Sequence, residues 1–570
     1  MPSLLFSMAK PTLIQVIADT KMNDYLKQLQ TEIAGDIDTS DNTKLKFRHD
    51  TSMFEITPQA VIYPKNTKDV KAIISSVIKN KQKHPELSIT ARSAGTDMSG
   101  GAINDSLIVV FEKYFKHVGP FSGHTVWTEP GVYYRDFEKQ TLKHKQIFPS
   151  YPASREICAM GGIVANNSGG EKSLAYGKTE HHVRAISAVL ADGEQYEFLP
   201  LSEVELQTKL DQKDFEGNLY RKVYKLVNEN YDLIKESRPK VSKNSTGYNV
   251  WNVWDRDKKI FDMGALLVGA QGTLGLITKA KLELVDYKPK TGLMIIYAPS
   301  LEELPAIINK VLPFKPTSFE AFDEHTFGLS LKLFPKFRKT LGWKKFIRLA
   351  FSFIPDLWML RKGLPKFIML VEFEGTAKSE VAHKLDELDK SLVGLNITSE
   401  IAKTKAATQK YWLMRRESFN LLRHNVKEKH TAPFIDDLVV PPQNLPEFWP
   451  KLTKILEKYE LLYTIAGHMG DGNFHIIPLM DLRDPKERAK LQPCLKEVDE
   501  LVVSFGGSIS GEHNDGLVRG PYLDHMYSAQ MMKIFREIKN IFDPQNIFNP
   551  HKKTDASWDY SFSHLRKGFD

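Results

Sequence analysis

Three glycine-rich stretches, each next to a run of apolar residues, constrain this 570-residue chain more than any other feature of its sequence. The first is ARSAGTDMSGG at 91–101, directly after the apolar run 87–91. The second is MGGIVANNSGG at 160–170, followed by Tyr176 and Gly177. The third is VGAQGTLGLIT at 268–278. Turns rich in Gly, Ser and Asn let successive backbone N–H groups point into one concavity, which suits a diphosphate. Two such loops could clasp a dinucleotide from both sides, whereas any one alone also fits an ordinary tight turn. Neither GxGxxG nor GxxxxGK[ST] occurs, which disfavours a Rossmann NAD enzyme and a P-loop NTPase.

Around these loops the chain alternates. Residues 60–63 read as a strand, and a helix from Thr67 carries Val70, Ile73, Ile74, Val77 and Ile78 on one stripe. Strands follow at 87–91 and 106–111, with further β-branched runs at 185–190, 265–268 and 276–284. A second alternation begins near 290, with strands expected at 293–298, 317–322, 367–373, 434–440, 461–466 and 473–479. Helices are expected between them at 301–311, 378–392, 444–458 and 485–504, and a last one at about 525–542 before Asp543-Pro544.

The two cysteines, Cys158 and Cys494, form no CxxC pair, which argues against a disulfide framework, a zinc knuckle or an iron–sulfur cluster and fits a reducing compartment. No run of about 18 apolar residues occurs, and the N-terminal residues lack the basic start of a secretory signal. The net charge of +8 is concentrated in 325–366, where seven Lys and three Arg meet a single acid, Asp356. Its aromatics, interleaved with these cations, could seat the segment in a membrane interface. They could equally form an amphipathic helical pair over the rest of the chain. No nucleic-acid motif accompanies the segment.

Near the C-terminal end, GHMGDGNFH at 467–475 places His468 and His475 on either side of a tight turn, and SGEHNDG at 510–516 supplies Glu512 and His513. Two imidazoles and a carboxylate with open positions suit Zn²⁺ or a similar divalent ion. His513 has the pKa range of a general base, although isolated H-x6-H pairs are also common at surfaces and in cores. The stretch 411–417 holds Arg415 and Arg416, either of which could pair bidentately with a carboxylate or lie in a solvated basic turn.

Taken together, the three glycine segments resemble the FAD-binding domain of the vanillyl-alcohol-oxidase (PCMH) type flavoproteins. With the two histidine motifs, the chain from about 55 to about 552 resembles the FAD-linked D-2-hydroxyacid dehydrogenase, D-lactate dehydrogenase and glycolate oxidase subunit family. The resemblance implies an α+β fold: a two-subdomain FAD-binding domain, then an α/β substrate domain with an antiparallel sheet and a C-terminal helical segment. The boundaries read as a helical segment 1–50, the FAD-binding domain 51–286, the substrate domain 287–510 with its insertion 325–366, and a segment 511–570 returning to the FAD domain.

On this resemblance the FAD contacts are Arg92, Ser93, Ala94, Gly95, Thr96, Asp97 and Ser99 in the first loop, and Pro149 before the second. The second loop adds Gly161, Gly162, Asn166, Asn167, Ser168, Gly169, Gly170 and Tyr176; the third adds Gly272, Gly275 and Ile277; Asn549 completes the set. His468, His475 and Glu512 become ligands of a divalent metal, with Zn²⁺ expected, His513 the catalytic base, and Arg416 or Arg415 the substrate-binding arginine. The implied reaction oxidises a small 2-hydroxy acid such as D-lactate, with electrons passed to an external quinone, cytochrome or carrier flavoprotein. Other outcomes are a flavin enzyme for another alcohol and a non-catalytic FAD-binding subunit. The expected location is cytoplasmic, with 325–366 a candidate for contact with the inner face of a membrane. The chain departs from the family's pattern at Gln271, where Glu is common, and at Asn514, where Gly is usual.

Overall fold

The computed structural model describes residues 13–324, 326, 365–425 and 429–568, so the basic segment 325–366 lies almost wholly outside the described residues. The first sheet has four strands in the order Asp36–Asp38, Ala60–Tyr63, Leu107–Val110, Ile89–Arg92, the last three parallel. Helix Thr67–Asn80 covers it. Asn66 caps the helix through its side-chain oxygen, and Val70, Ile73, Ile74 and Val77 are fully buried, while Ile78 packs at the margin. The strand Asp36–Asp38 lies within the stretch expected to be helical, between helices Leu13–Glu32 and Asp41–Phe47.

A five-stranded antiparallel sheet follows, in the order Val118–Ser122, Thr125–Thr128, Leu276–Glu283, Val183–Val189, Gln195–Phe198. An eight-stranded antiparallel sheet forms the other half of the molecule. Its path is Thr398–Ile401, Lys290–Ala298, Phe367–Gly375, Ser318–Asp323, Leu462–His468, Asn473–Met480, His430–Thr431, with Leu438–Val439 paired to Asn473–Met480. Helices Leu304–Val311, Lys378–Leu392, Leu445–Lys458 and Leu491–Ser504 bury their apolar faces in this sheet's core. After residue 511 the chain packs back against the first sheet, where Phe548 bridges Ile89, and Leu565 bridges Phe54 ahead of that sheet's strand Ala60–Tyr63.

Four further elements differ from the sequence expectation. Residues 265–268 are not a strand: Met263–Leu266 is a 3-10 turn entering Gly269 at φ +79°, and a short buried apolar run looks the same in either conformation. The strand 434–440 shrinks to Leu438–Val439 because Asp437 adopts φ +68°, which breaks extended pairing. The helix at 485–504 is two, Pro485–Ala489 and Leu491–Ser504. The last helix starts at Ala529, where Ser528 caps it by accepting from the Met531 N–H.

Candidate functional site

The three glycine loops are tied to one another by side chains. Asp97 accepts hydrogen bonds from the N–H of Ser99 (3.1 Å) and Gly101 (2.6 Å) in its own loop and from Asn166 Nδ2 (3.0 Å) in the second. Gln271 in the third loop donates from Nε2 to Ser99 Oγ at 3.0 Å, and its Oε1 accepts from the Gly516 N–H at 2.9 Å. Its backbone N–H bonds the Ala165 carbonyl at 2.9 Å. Glycine is required at Gly161, where a Cβ would collide with Pro130 and Ser93. At Gly162 a Cβ would meet nothing nearer than Ser93 Cβ at 3.9 Å, so the space before it is open.

That space is a cavity of about 560 Å³, within the range of small-molecule and cofactor sites. It is bordered by the expected Arg92, Ser93, Ala94, Gly95, Thr96, Asp97, Gly161, Gly162, Asn166, Ser168, Gly169, Gly272, Gly275 and Ile277. Backbone amides and small residues from three loops on one wall fit an extended dinucleotide diphosphate.

Ser99, Pro149, Asn167, Gly170, Tyr176 and Asn549, also expected as contacts, do not border the cavity. Several of them instead tie together the segments that carry the wall. Asn167 closes helix Met160–Asn166 at φ +52° and accepts from the Glu180 N–H. Gly170 lies against the Tyr151 carbonyl, Pro149 is buried, and the Tyr176 carbonyl meets His182 Nε2 at 2.9 Å. Asn549 Nδ2 bonds the carbonyls of Gly101 (2.8 Å) and Gln271 (2.6 Å), and its Oδ1 accepts from Thr90.

The same cavity reaches His468, His475, Glu512, His513 and Arg415. His468 ends strand Leu462–His468 and His475 lies on Asn473–Met480. The turn between these strands carries Gly472 at φ +65°, where any Cβ would strike the Val440 carbonyl. Glu512 Oε1 is 3.3 Å from His468 Nε2 and 3.4 Å from His475 Nε2, so three ligand atoms face one point. Each imidazole is anchored on its far side: His468 Nδ1 is 2.7 Å from Glu320 Oε1, and His475 Nδ1 is 3.1 Å from Asp436 Oδ1. A carboxylate only accepts, so each Nδ1 carries a hydrogen toward its anchor, and each Nε2 is left to present its lone pair to a cation held between the imidazoles and Glu512. A cation between them satisfies that geometry, and the donor set of two imidazoles and one carboxylate suits Zn²⁺.

His513 lies beside this cluster, its ring stacked on His475 with centroids 4.8 Å apart and its Nδ1 2.7 Å from Asp436 Oδ2. Asp437 Oδ2 accepts from the N–H groups of Glu512 (2.9 Å) and His513 (2.7 Å), which fixes this turn. Asn514 stands at φ +69°, as the usual Gly there would allow, and its Nδ2 bonds the Gly269 carbonyl at 2.8 Å. Arg415 Nε and Nη2 reach Glu320 Oε2 at 3.2 and 3.1 Å. Arg416 is in the same helix, Lys405–Asn425, but its side chain lies outside the described residues.

The electrostatics favour charge in this pocket. Burial opposes ionisation of Glu512, but Lys243 (Nζ 3.0 Å from Oε2) and His468 hold its carboxyl well below the ordinary range. Burial also opposes charge on His475, yet Asp436 and Glu512 push it up to about 10. His513 is raised too, because Asp436 and Asp437 outweigh its burial. Such an anionic surrounding favours a dication.

Glu320, Asp436, Asp437 and Lys243 also shape the site, and sequence reasoning missed them. The Asp436-Asp437 pair ahead of a β-branched run is the one visible signal among them. Lys243 and Glu320 sit in segments with no motif spacing to the histidines.

Comparison with known proteins places the chain. Residues 58–198 match the family described as FAD binding domain, and residues 298–553 match that described as FAD linked oxidases, C-terminal domain. A D-2-hydroxyglutarate dehydrogenase of Escherichia coli (strain K12) is 26% identical over 553 residues, covering 95% of this chain and 52% of the relative. The chain thus spans about half the length of the D-2-hydroxyglutarate dehydrogenases it matches. A D-lactate dehydrogenase of Archaeoglobus fulgidus is 26% identical over 514 residues, covering 89% of this chain and 95% of the relative. Among solved structures, p-cresol methylhydroxylase with substrate bound superposes with a TM-score of 0.66 at 14% identity, covering 95% of this chain and 98% of that one. That likeness establishes a shared α+β fold of the PCMH type.

Proposed function

We propose, from the premise that this chain belongs to the FAD-linked oxidases, that it oxidises a small 2-hydroxy acid to the 2-oxo acid and passes the electrons to an external acceptor. The observation that carries this reading is the single cavity that the three glycine loops share with His468, His475, Glu512, His513 and Arg415. The names of the relatives, D-2-hydroxyglutarate dehydrogenase and D-lactate dehydrogenase, support the substrate class.

The loop residues that border the cavity would hold FAD, which would supply the two-electron acceptor. His468, His475 and Glu512 would hold a divalent metal, for which Zn²⁺ is the best match, and it would supply Lewis acidity to the substrate. Arg415 binds the substrate carboxylate and so orients the Cα–H; Arg416, one position along the helix, is the other candidate. His513 takes the hydroxyl proton at Nε2, because its Nδ1 hydrogen is committed to Asp436. Asp436 keeps that tautomer and stabilises the imidazolium that forms.

The external acceptor is of the quinone, cytochrome or carrier-flavoprotein class, and residues 325–366 are the part of the chain proposed to meet a membrane surface. Anaerobic mixing of the flavin-loaded protein with D- and L-lactate, D- and L-2-hydroxyglutarate and glycolate tests the central claim. One of these should bleach the flavin absorption within seconds. An oxidised spectrum with every member of the panel would refute the reading.

A further inference from the structure

Glu320 belongs to none of the sequence motifs of the site, yet it stands between the two groups that would meet substrate and metal. It lies on strand Ser318–Asp323, at the middle of the eight-stranded sheet, and is 1% exposed. The neighbouring strand brings His468 to it, one step past the Ala321–Gly467 pair. Helix Lys405–Asn425 lays Arg415 over the same strand.

The two carboxylate oxygens are divided. Oε1 accepts from His468 Nδ1 at 2.7 Å, and Oε2 accepts from Arg415 Nε at 3.2 Å and pairs with Nη2 at 3.1 Å. Both partners are donors, and only an acidic side chain offers acceptors on both oxygens.

We propose that Glu320 is a positioning residue that couples the substrate-binding arginine to the metal site: it holds Arg415 toward the cavity and keeps the lone pair of His468 Nε2 directed at the metal. The proposal rests on the function given above and deepens it. A glutamine here has one acceptor for two donors. If its oxygen serves Arg415, its NH₂ faces His468 Nδ1. That forces the other tautomer, with a hydrogen on Nε2 where the metal lone pair was. If its oxygen serves His468, the NH₂ opposes the guanidinium and Arg415 swings away. Metal affinity and substrate affinity therefore depend on the same carboxylate.

The test uses flavin-loaded protein and Zn²⁺ in competition with a chromophoric chelator, together with KM and kcat for whichever acid of the panel bleaches the flavin. Zn²⁺ binding by the unmodified protein is measured first, and its absence overturns both the metal reading and this inference. With binding established, Glu320→Gln should weaken Zn²⁺ affinity about 10- to 100-fold and raise KM. Arg415→Met should raise KM and leave Zn²⁺ affinity unchanged. The double variant should raise KM by less than the product of the two single effects, since the two residues act together. Unchanged Zn²⁺ affinity in Glu320→Gln, or multiplicative KM effects, overturns the coupling while leaving the proposed reaction standing. If Glu320→Gln fails to retain flavin, Glu320→Asp decides: its shorter carboxylate reaches only one partner, and wild-type values of both Zn²⁺ affinity and KM would overturn the proposal.

Discussion

Asp436 Oδ2 accepts a hydrogen bond from His513 Nδ1 at 2.7 Å, while its other oxygen lies 3.1 Å from His475 Nδ1. One fully buried carboxylate therefore orients the candidate base and a candidate metal ligand together. Asp436→Asn leaves one acceptor for two imidazole donors. The rate of flavin reduction by a 2-hydroxy acid should fall about 10- to 100-fold with the flavin spectrum unaltered. Stopped-flow absorbance reads this directly, and a wild-type rate would refute the arrangement.

Removal of the metal separates its role from that of the flavin. The loops that border the cavity on one side share no ligand with the His468, His475 and Glu512 cluster. Dialysis against a chelator should therefore leave the flavin bound and slow its reduction on the order of a hundredfold or more. Added Zn²⁺ should restore the rate. His475→Ala should behave like the chelated protein and gain nothing from Zn²⁺; full reduction of the chelated protein at the original rate counts against a metal role.

Asn549 Nδ2 is the partner of two carbonyls, those of Gly101 and Gln271, in two different glycine loops. Asn549→Ala orphans both in a buried place, at a cost of about 2–4 kcal/mol. The thermal midpoint should drop, and FAD should be lost on gel filtration where the unmodified protein retains it. Retention of both would show that the loops hold together without this clamp.

Glu372 is a half-buried carboxyl whose desolvation, with Glu171 and Glu374 beside it, pushes its pKa up to about 8. Lys172 pairs with Glu374 at 2.5 Å, and Trp412 Nε1 donates to Glu372 at 3.2 Å. Because the folded value exceeds the unfolded one, the folded state retains a proton that the unfolded chain has lost. Stability should therefore fall from about pH 5 to about pH 8 and level off above. Glu372→Gln keeps the Trp412 hydrogen bond and removes the titration, so its thermal midpoint should vary less across that window, the difference in stability being a few kcal/mol at most. Parallel curves for the two proteins would contradict this assignment.

Much of the architecture is legible in the order of residues alone. The strands at 60–63, 276–284, 293–298 and 473–479 and the helix at 378–392 follow from the apolar period. These are local signals, carried by neighbours in the chain. Elements fail where tertiary demands override them: Asp437 leaves the extended conformation so that its carboxylate can hold the Glu512 and His513 amides. The cofactor wall is only partly legible, since Asn549 and Ser99 carry loop-building polar groups that do not border the cavity itself.

By itself the sequence determined the three glycine loops, the His468–His475 turn and the Glu512-His513 pair, because each is a contiguous segment whose residue types suit one local geometry. Only the tertiary structure decided that these meet in one cavity. It also decided that Glu320 and Asp436 stand behind the histidines and that Lys243 neutralises Glu512. Lys243 and Glu512 are 269 residues apart in the chain. A buried carboxylate or ammonium finds its partner through sheet register and packing, and neither leaves a trace in the spacing of residues along the chain.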